Sequence, residues 1–283
     1  MTKKLLSLTE NTAKSGMGHY MRQTALKNYL LARGIDLYIV RDPDEYFKIE
    51  VAGLSKNIVL VDLSEESQAK FDLAALDYKN KFCFDWSASQ IPDINVIVSE
   101  WSDKKFGFRS EKYSGFEYFI VNEDLFSVSI SEKKYCLITI GAYLNDYILS
   151  EVLKKLELNY FGEILLIESG SLINLTSGKE LSKNLSRKEY LAYLAEAELV
   201  ITNGGTSLVE SCLLNKKIIS VPKNKYELSF AKNINEVNPL FAIWDVVCAH
   251  EKVSMLNSTN SKIDGLGVKR VGEIILKLIS SYE

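Results

Sequence analysis

Short apolar runs alternate with stretches of mixed polarity along the first half of the chain. The runs are rich in β-branched residues and bounded by polar ones, which predicts buried strands at Leu5–Thr9, Leu37–Val40, Ile58–Asp62, Lys81–Phe84 and Val96–Ser99. Between them, Gly18–Arg33 and Gln68–Lys79 carry apolar residues at helical spacing. This alternation of strands and helices indicates a parallel sheet that is covered by helices.

A second series of the same kind begins after a polar break near residues 127–134. Its predicted strands are Cys136–Ile140, Ile164–Ile167, Leu199–Thr202 and Lys217–Val221, and its predicted helices are Asp146–Leu156, Arg187–Ala195, Ser207–Leu214 and Leu228–Val237. The pattern therefore predicts an N-terminal domain over residues 1–130 and a C-terminal domain over residues 131–283. The last amphipathic segment, Val268–Ile279, can belong to either domain and can pack back on the first.

The predicted fold class is α/β, with two doubly wound, Rossmann-like domains. The length of 283 residues suits two hydrophobic cores better than one. Loops that follow strands, and the helix N-termini that follow those loops, gather at the carboxyl ends of parallel strands. A ligand is therefore expected in a cleft between two such edges.

Composition narrows the classes of ligand. Apolar residues make up 47% of the chain and charged residues 25%, and the formal charge of −3 is spread along the sequence. This balance predicts a globular protein without a nucleic-acid partner. No segment approaches the roughly 18 apolar residues of a membrane span, so we expect no membrane insertion and a cytoplasmic location. The four cysteines lie far apart and the histidines number two, which favours free thiols and neither a metal site nor a cofactor.

The loop after the first predicted strand carries the first candidate residues. Gly16 and Gly18 let the backbone turn tightly, but Met21 occupies the third glycine position of a dinucleotide-binding fingerprint, so NAD is not expected. His19 and Arg22 lie one turn apart on the same helix face. An imidazole can take a proton from a hydroxyl group, and an arginine can pair with a phosphate. Alternatively, His19 caps the helix and Arg22 is a solvated charge.

The loop after Leu199–Thr202 carries the second set. Its two glycines and the hydroxyl residues that follow suit a phosphate at a helix N-terminus, and Glu210 could accept hydrogen bonds from a ribose. The residues concerned are Gly204, Gly205, Thr206, Ser207 and Glu210. The open alternative is a capping box formed by Ser207 and Glu210 without any ligand. Asp62 and Asp85 end two predicted strands and are either catalytic carboxylates or caps of the following turns.

Together these segments resemble the UDP-sugar hydrolases of pseudaminic acid biosynthesis, which have the GT-B fold and are related to the GlcNAc transferase that acts on a peptidoglycan lipid intermediate. The similarity lies in SGMGHYMRQTALKNYLLARG, in Lys81–Trp86, in GFRSEKYSGFEYFIVNEDLF, in ELVITNGGTSLVESCLLNKKIISVP and in IDGLGVKRVGEIIL. The resemblance implies two domains that face a cleft and a UDP-sugar substrate. It also implies no metal requirement.

The resemblance also implies roles for individual residues. His19 becomes the catalytic acid or base, Thr206, Ser207 and Glu210 lie at the nucleotide, and Gly16, Gly18 and Gly141 approach the ligand closely. Two departures stand out. Where the hydrolases carry an Asp-x-Tyr motif, this chain has Val61-Asp-Leu-Ser-Glu-Glu66, which keeps Asp62 and lacks the tyrosine, and where they carry Gly-Gly-Thr-Asp, it has Ile140-Gly-Ala-Tyr-Leu.

The function predicted on this basis is hydrolysis of a UDP-sugar, with His19 activating water for attack at the anomeric carbon. One alternative is a glycosyltransferase in which His19 deprotonates an acceptor hydroxyl group instead. The other is a binding protein without activity.

Overall fold

A computed structural model describes residues 3–10, 18–42, 53–97, 111–131, 133–140, 146–160, 162–168, 170–223, 225–237, 241–243 and 263–282. The chain divides into two compact units. The first comprises Met1–Asn122 together with Asp264–Glu283, and the second comprises Glu123–Ile263.

The first unit contains a six-stranded sheet in which every neighbouring pair is parallel. Its strands are β1 (Lys3–Thr9), β2 (Ile35–Val40), β3 (Leu54–Asp62), β4 (Asn80–Phe84), β5 (Ile94–Ile97) and β6 (Glu111–Ser114), in the order β2-β1-β3-β4-β5-β6. Successive residues of β1 pack on opposite faces: Leu5 joins one buried cluster, and Leu6 and Leu8 join the other. Burial on both faces explains why these strands appear in the sequence as continuous apolar runs.

The second unit contains a seven-stranded sheet with a parallel centre and an antiparallel edge. Its strands are β7 (Lys133–Thr139), β8 (Glu163–Glu168), β9 (Ser171–Asn174), β10 (Lys179–Ser182), β11 (Ala197–Thr202), β12 (Lys217–Ser220) and β13 (Phe241–Ile243), in the order β10-β9-β8-β7-β11-β12-β13. The β8–β9 and β9–β10 pairs are antiparallel. The prediction of an α/β fold with two parallel-dominated, Rossmann-like sheets is thus confirmed.

The described parts of the chain contain seven α-helices, six between strands and one after the last strand. They are α1 (Gly18–Leu31), α2 (Glu65–Gln68), α3 (Asp146–Asn159), α4 (Arg187–Glu196), α5 (Thr206–Leu213), α6 (Lys225–Val237) and α7 (Gly267–Ser280). None of the described helices is long and apolar enough to span a bilayer.

The last helix, α7, belongs to the first unit and packs against α1. Val271 and Ile275 are fully buried in the cluster that also holds Leu26 and Leu30 of α1. Gly272 faces Tyr29 so closely that an added Cβ would lie 2.3 Å from the tyrosine ring. A glycine is therefore needed at this crossing of the two helices.

The predicted helix at Gln68–Lys79 is wrong. The helix there ends at Gln68, and only a short 3-10 turn at Leu73–Ala75 follows. The Asp72 side chain accepts a hydrogen bond from the Ala74 amide at 3.0 Å and caps that turn. Local capping by an aspartate favours a turn over a continuous helix, despite the helical spacing of the apolar residues. The short strands β6, β9, β10 and β13, which lie at or next to a sheet edge, were also absent from the prediction.

Candidate functional site

The order of strands in each unit marks the expected position of a ligand. In the first unit the chain moves from β1 outward to β2 and then returns to β3 on the other side of β1. In the second unit β7 has the same place, between β8 and β11. Ligands of doubly wound sheets bind at the carboxyl ends of the strands beside such a reversal. A ligand is therefore expected at the edge beside β1 and β3 or at the edge beside β7 and β11.

Three carboxylates follow three adjacent strands at the first of these edges. Glu10 follows β1, Asp62 ends β3 and Asp85 follows β4. The register pairs Thr9 with Asp62, so the ends of β1 and β3 lie level. Helix α1 follows β1 in the chain and begins at the same edge, since His19 near its start contacts Asp62.

His19, Arg22, Asp62 and Asp85, here called the His19 cluster, are brought together at this edge. The Nδ1 atom of His19 lies 2.7 Å from Oδ1 of Asp62. The Nε and NH2 groups of Arg22 donate to the two oxygens of Asp62, with the Nε bond at 2.8 Å, and NH1 donates to Asp85 at 2.9 Å. Asp62 thus binds side chains of α1 and does not cap the following turn, which was the alternative left open by the sequence.

Asp62 is a buried anion within this cluster. Its side chain is fully buried and also accepts a hydrogen bond from Gln23 at 2.8 Å. Burial by itself raises the pKa of Asp62, but the charges of Arg22 and His19 and their hydrogen bonds outweigh burial and hold the pKa well below its usual range. The same contacts act on Arg22: burial lowers its pKa, whereas Asp62 and Asp85 raise it above the usual value. The pair is therefore ionised.

This geometry determines which ring nitrogen carries the proton when His19 is neutral. An ionised carboxylate can only accept hydrogen bonds, so the proton between Asp62 and His19 lies on Nδ1. The lone pair is then on Nε2, the nitrogen that faces away from Asp62. The Oε1 atom of Glu10 lies 4.0 Å from Nε2. The His19 side chain is 24% exposed, and an imidazole nitrogen with a free lone pair can accept a proton from a hydroxyl group.

The second edge, at β7 and β11, contains the Gly204–Gly205 loop and the start of α5. Gly205 is the N-cap of α5 and, as a glycine, has no side chain to cap the helix. Thr206 and Ser207 are the first two helical residues, so a capping box formed by Ser207 and Glu210 does not exist. Instead, the Ser207 hydroxyl accepts a hydrogen bond from Tyr190 at 2.7 Å. Within the described residues, the first-turn amides of α5 thus have no side-chain cap from the N-cap position, as a helix N-terminus that binds an anion requires.

Glu210 lies one turn into α5 and is 2% exposed. Both of its carboxylate oxygens accept hydrogen bonds from Arg187, the first residue of α4. Burial raises the pKa of Glu210, and the charge of Arg187 opposes that rise. The carboxylate that was expected to face a ribose is therefore turned toward an arginine.

Two of the predicted glycines, Gly16 and Gly141, lie outside the described residues. Gly18 is the first residue of α1, directly before His19. In the described parts of the chain, no group of three or more His, Cys, Asp or Glu side chains is arranged to hold a metal ion.

No protein-family model and no curated protein matches this chain. Among solved structures, the chain is similar to the spinosyn forosaminyltransferase SpnP, with 10% sequence identity, a TM-score of 0.48, and 99% of this chain and 95% of that chain covered. It is also similar to the dodecameric iron-containing heptosyltransferase TibC, solved in complex with ADP-D-β-D-heptose, with 13% identity, a TM-score of 0.35, and 100% and 77% covered. Likenesses this remote do not bear on the reaction.

The sequence analysis did not identify several polar residues that bind Asp62 and Glu210. Gln23 is fully buried and links the hydroxyl of Ser7, at 2.9 Å, to Asp62. Its signal in the sequence is a polar residue on the apolar face of α1, at helical spacing before Leu26 and Leu30. Arg187 left no comparable signal, because nothing in the sequence connects it to Glu210, 23 positions away.

The two glycines of the second loop are expected to differ in their tolerance of a side chain. A Cβ on Gly204 would lie 2.4 Å from the backbone oxygen of Glu227, whereas a Cβ on Gly205 meets only the Asn203 side chain at 3.5 Å. We expect Gly204→Ala to lower the free energy of unfolding by about 1–3 kcal/mol, because the backbone of α6 must move. Gly205→Ala is the matched control and should unfold like the wild type in thermal denaturation. Equal melting temperatures for all three proteins would contradict the packing of Gly204 on α6.

Proposed function

We propose that this chain transfers a sugar from a nucleotide-sugar to a hydroxyl group, with His19 as the general base. The observation that supports this is the pair formed by His19 and the buried, ionised Asp62. Asp62 orients the ring through Nδ1 and stabilises the imidazolium that forms when Nε2 takes up a proton. The proposal keeps the GT-B fold that the sequence resemblance implies, with the nucleotide on the second unit and the activation of the hydroxyl group on the first.

The proposed transfer needs no reactant besides the nucleotide-sugar and the compound that carries the attacking hydroxyl group. The oxygen of the attacking hydroxyl group forms a bond to the anomeric carbon, and the bond from that carbon to the diphosphate breaks. The proton of the hydroxyl group passes to Nε2 of His19, and the nucleoside diphosphate leaves as an anion. The uncapped first-turn amides of α5, at Thr206 and Ser207, would stabilise the charge on that leaving group.

Ser64 distinguishes this chain from the UDP-sugar hydrolases, and this departure is the ground for placing transfer ahead of hydrolysis. It occupies the position where the UDP-sugar hydrolases carry the tyrosine of their Asp-x-Tyr motif. The Ser64 amide donates to Glu10, and its hydroxyl lies 3.4 Å from that of Ser67 in α2. A phenol is thus replaced by a short side chain that is engaged within its own turn. Hydrolysis is the second candidate, supported by the resemblance of the loops that carry His19 and Gly204.

The two candidates differ in whether an acceptor is needed. We expect purified protein, offered UDP-, dTDP-, GDP- and ADP-sugars, to release nucleoside diphosphate from at least one of them. A rise of about tenfold or more on adding a panel of mono- and oligosaccharides, with a new glycoside detected by mass spectrometry, would support transfer. Release at the same rate without acceptor, with free sugar as the product, would support hydrolysis instead. No release from any donor under either condition would contradict both.

A further inference from the structure

The pair of Arg187 and Glu210 in the second unit has no counterpart among the roles predicted from the sequence. The NH2 group of Arg187 lies 2.5 Å from Oε1 of Glu210, and NH1 lies 3.3 Å from Oε2. The Nε group lies 3.4 Å from Oδ2 of Asp124, and the guanidinium stands over the ring of Tyr190 at 5.4 Å. Glu210 is buried, whereas the Arg187 side chain is 27% exposed. Solvent therefore reaches the arginine and not the glutamate.

Arg187 is located at the edge of the sheet where a nucleotide is proposed to bind. It opens α4, and α4 leads directly into the amino end of β11, so the first turn of α4 lies at the carboxyl edge. Tyr190, one turn further along α4, donates to Ser207 in the first turn of α5. Arg187 thus flanks the first two turns of α5, beside the strand reversal at β7 and β11.

The bonds already made by Arg187 decide which part of a ligand it suits. A guanidinium has five N–H donors, and three of them are used by Glu210 and Asp124, which leaves two without a partner among the described residues. Its positive charge already faces two carboxylates. A site of this kind offers N–H donors without an excess of positive charge, which suits neutral oxygen acceptors better than a phosphate. Ribose hydroxyl groups and the carbonyl oxygens of a pyrimidine are such acceptors.

We propose that Arg187, held in place by Glu210, binds the nucleoside part of the nucleotide-sugar and not its diphosphate. The inference rests on the proposed function. In this arrangement Glu210 is a positioning residue, which acts on the ligand through Arg187 and does not bind the ribose itself. The diphosphate is left to the first-turn amides of α5.

The test compares a nucleoside with its diphosphate. We expect Arg187→Lys, which keeps the charge and loses the fork of donors, to weaken binding of uridine and of UDP by the same factor, about tenfold. NMR titration reaches the millimolar affinities expected for uridine. The dependence of UDP binding on salt should be the same in variant and wild type. A loss confined to UDP, with a shallower salt dependence, would place Arg187 on the phosphates and overturn the inference, and so would unchanged binding of both ligands.

Controls separate a binding role from a structural one. Arg270→Lys alters a similar forked pair, that of Arg270 with Asp264 in the first unit, and should leave binding unchanged. Where Arg187→Lys melts early, the double variant Arg187→Gln/Glu210→Gln removes both charges together and leaves no buried charge unpaired. It should melt like the wild type and still bind uridine and UDP about tenfold more weakly.

Two outcomes distinguish the inference from the function on which it rests. If the wild-type protein binds uridine and UDP and both Arg187 variants bind them equally well, the inference alone is overturned. Wild-type protein that binds none of the uridine, thymidine, guanosine and adenosine diphosphates overturns the proposed function and the inference with it.

Discussion

Replacement of His19 by alanine should reduce turnover of the preferred nucleotide-sugar by about 10²–10⁴-fold, the range over which a positioned general base contributes. The loss should fall on kcat, with a small change in KM, because Nε2 accepts its proton only as the hydroxyl group attacks. Binding of the nucleoside diphosphate should be unaffected, since the proposal assigns it to the second unit. The measurement is steady-state release of nucleoside diphosphate together with NMR or calorimetric titration of the product.

The matched control is His250→Ala, at the only other histidine of the sequence. It should retain the activity of the wild type. His19→Gln provides a second check, since its amide can still accept a hydrogen bond but does not take up a proton near neutral pH. Turnover of His19→Ala within about threefold of the wild type, less than about 1 kcal/mol in the barrier, would remove His19 from the mechanism.

The sequence was sufficient for the central part of the fold. The buried strands β1, β3, β7 and β11 appear as apolar runs because a parallel sheet is covered on both faces. The strands near the edge of the second sheet do not show such apolar runs. The hairpin formed by β9 and β10 is short and largely exposed along β10, so no buried face imposes a pattern on its sequence.

The His19 cluster could be predicted only in part. His19 and Arg22 lie at helical spacing, and Asp62 ends a predicted strand, so each was a candidate on local grounds. Their meeting depends on the order of β1, β3 and β4 in the sheet, which local patterns do not determine. The role of Arg22 therefore differs from the phosphate pairing that the sequence suggested. Its N–H groups donate to Asp62 and Asp85, so it holds these carboxylates in place and does not present a free guanidinium to a phosphate.

Asp62→Asn should have the second large effect, on stability and activity together. The substitution leaves the buried Arg22 with only the charge of Asp85 to balance it, and loss of one partner of a buried pair costs about 3–5 kcal/mol. We expect the lower end of that range, because the bond of 2.9 Å to Asp85 remains. An asparagine also no longer holds the proton on Nδ1 of His19, so kcat should fall by about 10²–10⁴-fold.

Asp85→Asn is the matched control. Within the His19 cluster, Asp85 accepts a hydrogen bond from Arg22, as Asp62 does, but makes none with His19. Asp85 has a positive φ of 46°, which asparagine tolerates well, so the backbone should not change. Its carboxylate is 32% exposed, and its loss should cost less stability than that of Asp62 and leave kcat within a few fold. An equal loss of kcat in both variants would show that the charge balance around Arg22, and not the tautomer of His19, controls the reaction.

The pH dependence of unfolding gives an independent measure of the same contact. The pKa of Asp62 is lower in the folded protein than in the unfolded chain, where an aspartate side chain has a pKa of about 4. The contribution of Asp62 to stability is therefore fully present above that value and is lost as the pH falls toward the folded pKa. Wild type and Asp62→Asn should differ most in unfolding free energy at neutral pH, and the difference should shrink below about pH 4. A difference that stays constant down to about pH 3 would mean that the lost stability comes from packing and not from the buried charge.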